Sequence, residues 1–192
     1  MSMFLGPIHY WLYNKIGNQE KLTAEIAKYA VDKNYIDSSE QYTKELPSLE
    51  TVIDESNIHG WLQGQINDAE TRYAKLIETL LSNGVSLESV CEVAYNFGKE
   101  NALESASTAE TAYKAFEDFF VNGMPCDRIN AITKNENGII EWQQTQDIHA
   151  QYWNSNSAPY YQLRNSVMQG MLANANLSLT NDNSVWALTT DC

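Results

Sequence analysis

All three histidines of the chain stand in a similar local sequence. Residues 8–16 and residues 58–66 both fit the pattern I-H-x-W-L-x-x-x-I, which places His9 and His59 fifty residues apart. His149 likewise follows an isoleucine and precedes a tryptophan. Residues three, four and seven apart share one face of a helix, so the leucine and isoleucine after His9 and His59 predict that both imidazoles face the core. The shared pattern indicates three imidazoles that converge on one site.

We expect His9, His59 and His149 to surround a transition metal or a metal cofactor, because neutral imidazole binds Zn, Fe, Cu and Ni. Cys126 and Glu70 are the further candidate ligands. Iron is favoured and would bring redox or sensing chemistry, whereas zinc would activate water for hydrolysis. The alternative is that the histidines are packed residues with hydrogen-bonded rings. The chain has no H-E-x-x-H and no Cys-x-x-Cys motif, so such a site has to be assembled from distant segments.

The chain is rich in aromatic residues, with five tryptophans and eleven tyrosines. Four of them are candidates to line a pocket for a planar cofactor or another small molecule, namely Trp11, Trp61, Tyr73 and Trp153. The alternative is an aromatic core that binds nothing.

Cys126 lies in a turn-like segment between an expected helix and an expected strand. A thiol enzyme would pair it with His149 as the base and Asp147 as the group that orients the base. The alternative is a small residue packed at a tight turn. The three cysteines are odd in number and widely spaced, so they form no disulfide framework and suit a reducing compartment. Whether the protein is an enzyme stays open at this stage.

The elements that position these residues are mainly amphipathic helices. Apolar spacing predicts a helix that begins at Gly6-Pro7 and ends at Gly17, then a second over residues 19–33. The clearest helix covers residues 54–82 and ends at Asn83-Gly84. Two more helices follow Ser86 and the Ser107-Thr108 pair, and the last of these ends at Gly123.

The pattern changes after residue 123. Residues 129–145 and residues 177–188 each predict a β-hairpin, and residues 159–174 predict a helix between them. We therefore expect a mainly α fold, a bundle of five to six helices with a small antiparallel β element of two hairpins in the C-terminal third. The chain is expected to be a single domain, with a helical bundle over 1–123 and a hairpin-helix-hairpin extension over 124–192.

The chain of 192 residues carries a formal net charge of −13. It has no cluster of Lys and Arg that would neutralise phosphates, so we expect no nucleic acid partner and no membrane partner. The apolar N-terminus lacks a basic leader and a cleavage site, and no apolar run approaches the roughly 20 residues of a membrane span. We expect a cytoplasmic protein. The alternative to metal binding is a non-catalytic interaction or small-ligand-binding module, with a homodimer left open.

Overall fold

A computed structural model describes residues 5–182 and 184–190 of the chain. The described part contains six α-helices and four β-strands: α1 (Pro7–Asp32), α2 (Leu49–Val52), α3 (Ile58–Ser82), α4 (Leu87–Glu100), α5 (Ala109–Phe119), α6 (Ala158–Met171), β1 (Asn130–Glu136), β2 (Ile139–Gln144), β3 (Leu177–Asp182) and β4 (Val185–Thr190). The prediction of a mainly helical chain with a small antiparallel sheet in its C-terminal part is confirmed. Within these ranges, every helix is too short or too polar to cross a bilayer.

The chain divides into two compact units. The first unit comprises the residues up to Ser86 together with residues 118–125, and the second comprises residues 87–117 and the chain from Cys126 onwards. The first unit contains α1, α2 and α3, and the second contains α4, α6 and the sheet. The prediction of a single domain stays a prediction.

The first helix does not end at Gly17, so the predicted break at this glycine is wrong. α1 continues from Pro7 to Asp32 as one helix of 26 residues. A glycine inside a helix costs only about 1 kcal/mol relative to alanine. Ile16 and Ile26, one on each side of Gly17, are both fully buried. The burial of this continuous apolar face outweighs the local preference of glycine for a helix end.

In the first unit, α1 and α3 pack side by side in parallel. The ring of His9 lies 5.7 Å from that of His59. Tyr13 meets Trp61, further along, at 5.9 Å between centroids. Deeper in the pair, Glu20 forms an ion pair with Arg72. Each step along α1 therefore matches a step in the same direction along α3, and the two copies of the repeated pattern lie next to each other.

A parallel pair requires the chain to return from the end of α1 to the start of α3, and residues 33–57 make this return. We call them the return segment. Near its start, the carbonyl of Tyr35 accepts a hydrogen bond from Asn83, the residue after α3. In its middle, Lys44 pairs with Asp68 at 2.7 Å. The segment therefore runs back along the helix pair and ends in a short 3-10 turn before Ile58.

In the second unit, α4 and α6 touch through glycines. A side chain on Gly98 would meet the backbone of Val167, and one on Gly170 would meet the backbone of Tyr95. Only glycine leaves room for such a close approach. The two helix backbones therefore pack directly against each other.

The sheet of the second unit has the strand order β1-β2-β4-β3 and is antiparallel throughout. β1 and β2 are joined through Asn137 and Gly138, which both have positive φ, as a tight two-residue turn requires. Trp142 on β2 lies opposite Trp186 on β4, and their rings are stacked with centroids 6.1 Å apart. Tyr113 of α5 packs edge-on against Trp142. One face of the sheet thus forms an aromatic core with α5.

Candidate functional site

The three histidines do not share one environment. His9 and His59 belong to the first unit, whereas His149 belongs to the second. His9 is 3% exposed and His149 is 1% exposed, but His59 is exposed. The prediction that His59 faces the core is therefore wrong. Its position explains this, because α3 begins at Ile58 and the side chain of its second residue lies at the open end of the helix pair.

The ring of His9 acts as a cap at the start of α1. Its Nδ1 accepts a hydrogen bond of 2.9 Å from the backbone N–H of Gly6. A ring nitrogen that accepts carries no proton, so in the neutral ring the proton is on Nε2. Nε2 is buried and has no hydrogen-bond partner among the described residues. A metal-bound histidine usually donates its second ring nitrogen instead, so His9 in this state offers a donor and not a metal-binding lone pair.

The remaining metal candidates lie in different surroundings. Glu70 is fully buried on α3. Cys126 is exposed, and its thiol lies 3.8 Å from the carboxylate of Asp127, the next residue. Across residues 5–182 and 184–190, no group of three or more His, Cys, Asp or Glu side chains comes together in a way that would hold a metal ion. Metal binding remains a prediction from the sequence pattern.

Asp147, the group expected to orient a catalytic histidine, binds the chain around it. Its carboxylate accepts hydrogen bonds from the backbone N–H groups of His149 and Ala150 and from the hydroxyls of Ser157 and Tyr161. Burial alone raises the pKa of Asp147, but these hydrogen bonds outweigh it, so the pKa lies below its ordinary value. Asp147 therefore contacts His149 through the backbone N–H and stabilises this turn.

His149 and its aromatic neighbours form a packed cluster. The imidazole of His149 stacks on the ring of Tyr160 with 3.7 Å between centroids and 20° between planes. Trp153 meets the same tyrosine edge-on at 5.9 Å and is 2% exposed. This arrangement is typical of an aromatic core.

The other aromatic candidates also have structural contacts. The indole N–H of Trp11 donates a 2.8 Å hydrogen bond to Asp118. The ammonium group of the buried Lys15 lies 3.9 Å from the centroid of the same indole ring. Tyr73 is 2% exposed in the core, and Trp61 packs against Tyr13. Each ring therefore has neighbours that account for its position, and a cofactor role for these residues stays a prediction.

The first unit contains a cleft that the sequence did not predict. It lies between α1 and the part of the return segment from Lys44 to Glu50, has a volume of about 810 Å³ and is open to solvent. Its lining residues are Tyr10, Tyr13, Asn14, Gly17, Asn18, Glu20, Lys21, Ala24, Lys44, Glu45, Leu46, Pro47, Ser48, Leu49 and Glu50. On α1 these residues lie outside the apolar stripe that contains Leu12 and Ile16, so from sequence alone they resemble an ordinary solvated surface.

A chain of alternating charges lies beside the cleft. Glu20 pairs with Arg72, Arg72 pairs with Asp68, and Asp68 pairs with Lys44. Gln65 holds the ammonium group of Lys44 from another direction, at 2.9 Å. The four charges sum to zero, so this chain of ion pairs carries no net charge.

Glu20 is the buried end of this chain of ion pairs, and its exposed fraction is 6%. Burial raises its pKa above the ordinary value, and the nearby guanidinium of Arg72 offsets only part of this effect. Its Oε1 accepts from Arg72. Its Oε2 is buried and has no hydrogen-bond partner within the part of the chain that the structure describes. Nε of Arg72, in the same ion pair, is likewise buried without a hydrogen-bond partner among the described residues.

Two tyrosines form the wall of the cleft that lies nearest the start of α1. The hydroxyl of Tyr13 donates a 2.9 Å hydrogen bond to the carbonyl of Pro47. The hydroxyl of Tyr10 is hydrogen-bonded to the carboxylate of Glu50, which raises the pKa of Tyr10. Both contacts join α1 to the return segment, so they hold the two sides of the cleft in place.

Comparisons with known protein families, with curated proteins and with solved structures found no match for this chain. Its function is therefore inferred from its own residues. The cleft of the first unit combines a volume of about 810 Å³ with polar groups that are held in place by other parts of the chain.

Proposed function

We propose that the protein is a non-catalytic small-ligand-binding module whose ligand occupies the cleft between α1 and the return segment. The proposal rests on a cleft of about 810 Å³ whose two sides are joined by the hydrogen bonds of Tyr13 with Pro47 and of Tyr10 with Glu50. Ligand sites in proteins commonly enclose about 300–1,000 Å³ and place a few polar groups among apolar and aromatic walls.

The groups of the cleft suit binding better than turnover. Tyr13 is hydrogen-bonded to Pro47, Lys44 is held by Asp68 and Gln65, and Glu20 is paired with Arg72. A binding site gains affinity from groups that are ordered before the ligand arrives. A general acid or base has to contact the group that exchanges the proton, whereas Tyr13, Lys44 and Glu20 already bind groups of the chain itself.

Two matched leucine substitutions test the proposal. A side chain added at Gly17 would point towards the cleft wall, since its Cβ would lie 4.0 Å from Leu46. A side chain added at Gly64 on α3 would meet nothing within 4 Å. Both Gly17→Leu and Gly64→Leu should gain roughly 0.5–1 kcal/mol of helix propensity, but only Gly17→Leu obstructs the cleft.

The assay is a titration with small aromatic alcohols, amines and carboxylic acids, followed by ¹H–¹⁵N NMR. We expect shifts centred on Asn14 and Asn18 in the unmodified chain and in the Gly64→Leu variant, and a loss of these shifts in Gly17→Leu. Binding that survives in Gly17→Leu, or the absence of any shift in the cleft with every fragment, would contradict the proposal.

The other expectations from sequence remain proposals with tests of their own. Iron or zinc bound through His9, His59 and His149 predicts stoichiometric metal after anaerobic purification. If the purified chain carries no metal and chelators leave its stability unchanged, the metal prediction is wrong. Assembly into one bundle of five to six helices, with the two hairpins packed on it, and homodimer formation are tested by small-angle scattering and sedimentation. A cytoplasmic location is tested by cell fractionation.

A further inference from the structure

We propose that the second unit has a binding site of its own, a polar pocket that takes one uncharged sugar ring of the size of a hexose. The pocket has a volume of about 240 Å³ and is open to solvent. Its lining comes from three strands, from α6 and from the turn after β2, and includes Gln144, Gln146, Asp147, Tyr161, Asn181 and Trp186. This inference does not depend on the cleft of the first unit.

Two of the carboxamides lie on the face of the sheet that forms the aromatic core. Alternate residues of a strand share one face, so Gln144 lies on the same face of β2 as the buried Trp142. Asn181 of β3 lies opposite Trp186 of β4, which in turn lies opposite Trp142. Because β4 runs between β2 and β3, Gln144 and Asn181 come from its two neighbours. The core face of the sheet therefore changes from apolar to polar where the pocket begins.

The carboxamides of the pocket are accessible to a ligand. Gln146 and Asn181 are exposed, and Gln144 is half-buried. None of the three amide groups is hydrogen-bonded to another of the residues 5–182 and 184–190. Each carboxamide offers two N–H donors and one carbonyl acceptor. Sugar hydroxyls also donate and accept, so they match this lining.

The charges of the lining favour an uncharged ligand. Its described residues include no Lys and no Arg, so an anion would lie near the carboxylate of Asp147 without a cation to offset the repulsion. That carboxylate already accepts hydrogen bonds from two backbone N–H groups and from the hydroxyls of Ser157 and Tyr161. It is therefore stabilised without a cation from a ligand.

The volume of the pocket limits the ligand to one small ring. Liquid water occupies about 30 Å³ per molecule, so the pocket corresponds to about eight water molecules. Sites for drug-sized ligands commonly begin near 300 Å³. Trp186 is only 2% exposed, so hydrogen bonds rather than stacking on this ring would select the ligand. A single hexose fits these limits, whereas a nucleotide or an oligosaccharide would extend out of the pocket.

Glucose, galactose and mannose are the probes that test this inference. Each is titrated into the full chain at about pH 6 and followed through the side-chain amide signals in ¹H–¹⁵N NMR. We expect at least one hexose to bind with a Kd in the millimolar range and to shift the signals of Gln144 and Asn181. The hexuronate of the same configuration should bind about tenfold more weakly because of its negative charge. The hexosamine should bind no more tightly than the hexose.

A matched pair of substitutions on β2 locates the site. Gln144→Met removes the carboxamide, keeps the length of the side chain and should weaken binding at least about tenfold. Gln143→Met is the control and should leave binding unchanged, because Gln143 lies on the other face of β2 and is not part of the lining. Asn181→Leu removes the carboxamide of β3 and tests the same point if Gln144→Met unfolds the chain.

Four results would overturn this inference. The first is the absence of any shift in the pocket with all three hexoses, and the second is a charged analogue that binds more tightly than its hexose. The third is binding that persists in both Gln144→Met and Asn181→Leu. The fourth is a loss of binding in Gln143→Met as large as that in Gln144→Met.

Discussion

Replacing Gly98 by alanine should destabilise the protein, although the same change in most helices stabilises it. The added Cβ would lie 2.2 Å from the carbonyl oxygen of Val167 and 3.0 Å from the Cα of Gly170. Ordinary van der Waals contact begins at 3.4 Å, so α4 and α6 would have to separate by about 1.2 Å, the difference between 3.4 and 2.2. Both contacted atoms belong to the backbone and have no rotamer to change.

The expected loss of stability in Gly98→Ala follows from two opposing contributions to the free energy of unfolding. Overpacking a well-packed contact costs about 1–3 kcal/mol, and a clash against backbone belongs at the upper end of this range. The gain in helix propensity from glycine to alanine returns about 1 kcal/mol. We therefore expect Gly98→Ala to lower the free energy of unfolding by about 2 kcal/mol.

Urea unfolding measures this effect through tryptophan fluorescence, because Trp142 and Trp186 belong to the same unit as α4 and α6. Gly64→Ala is the matched control on the open face of α3, and it should raise the stability by roughly 0.5–1 kcal/mol. The midpoints of the two variants should therefore shift in opposite directions. If Gly98→Ala proves as stable as Gly64→Ala, α4 and α6 do not touch at this glycine.

Three further predictions concern polar groups. Asp147→Ala should lower the free energy of unfolding by roughly 2–3 kcal/mol at pH 7. The pKa of Asp147 is lowered in the folded chain, so its contribution to stability is full above the unfolded-state pKa and is lost as the pH falls through the folded-state pKa. The stabilities of wild type and variant should therefore converge in acid. Arg72→Met leaves the buried carboxylate of Glu20 without its cation and should cost about 3 kcal/mol; adding Glu20→Gln should recover most of the loss, and failure to recover it would argue against the ion pair. His9→Gln should cost about 1 kcal/mol through the lost cap, whereas His59→Gln should change melting by less than about 0.5 kcal/mol, and equal effects would contradict the different burial of the two rings.

Local patterns predicted α3 well, because the apolar spacing along one helix is a local property. In α3, Leu62, Ile66 and Tyr73 lie on the buried side as their spacing indicates, and the helix ends at Ser82 before Asn83-Gly84. The errors arise where distant residues decide the outcome. Gly17 remains helical because the apolar face of α1 is buried along its whole length.

The periodicity of the sequence could not predict the candidate cleft. Its two sides come from α1 and from the return segment, and the latter has no regular apolar spacing to analyse. Glu20 and Glu70 each follow a histidine of the repeated pattern by eleven residues. That both carboxylates are buried depends on the parallel packing of α1 and α3, which spacing along one helix does not reveal.

The parallel arrangement of α1 and α3 also has a consequence for the speed of folding. Helices joined by a short turn can dock soon after they form, but here the docking contacts join residues about fifty positions apart, such as His9 with His59 and Glu20 with Arg72. The chain has to close this long loop before packing compensates for the lost entropy. High contact order slows folding even in helical proteins, so the first unit should fold more slowly than an antiparallel helical hairpin with helices of the same length.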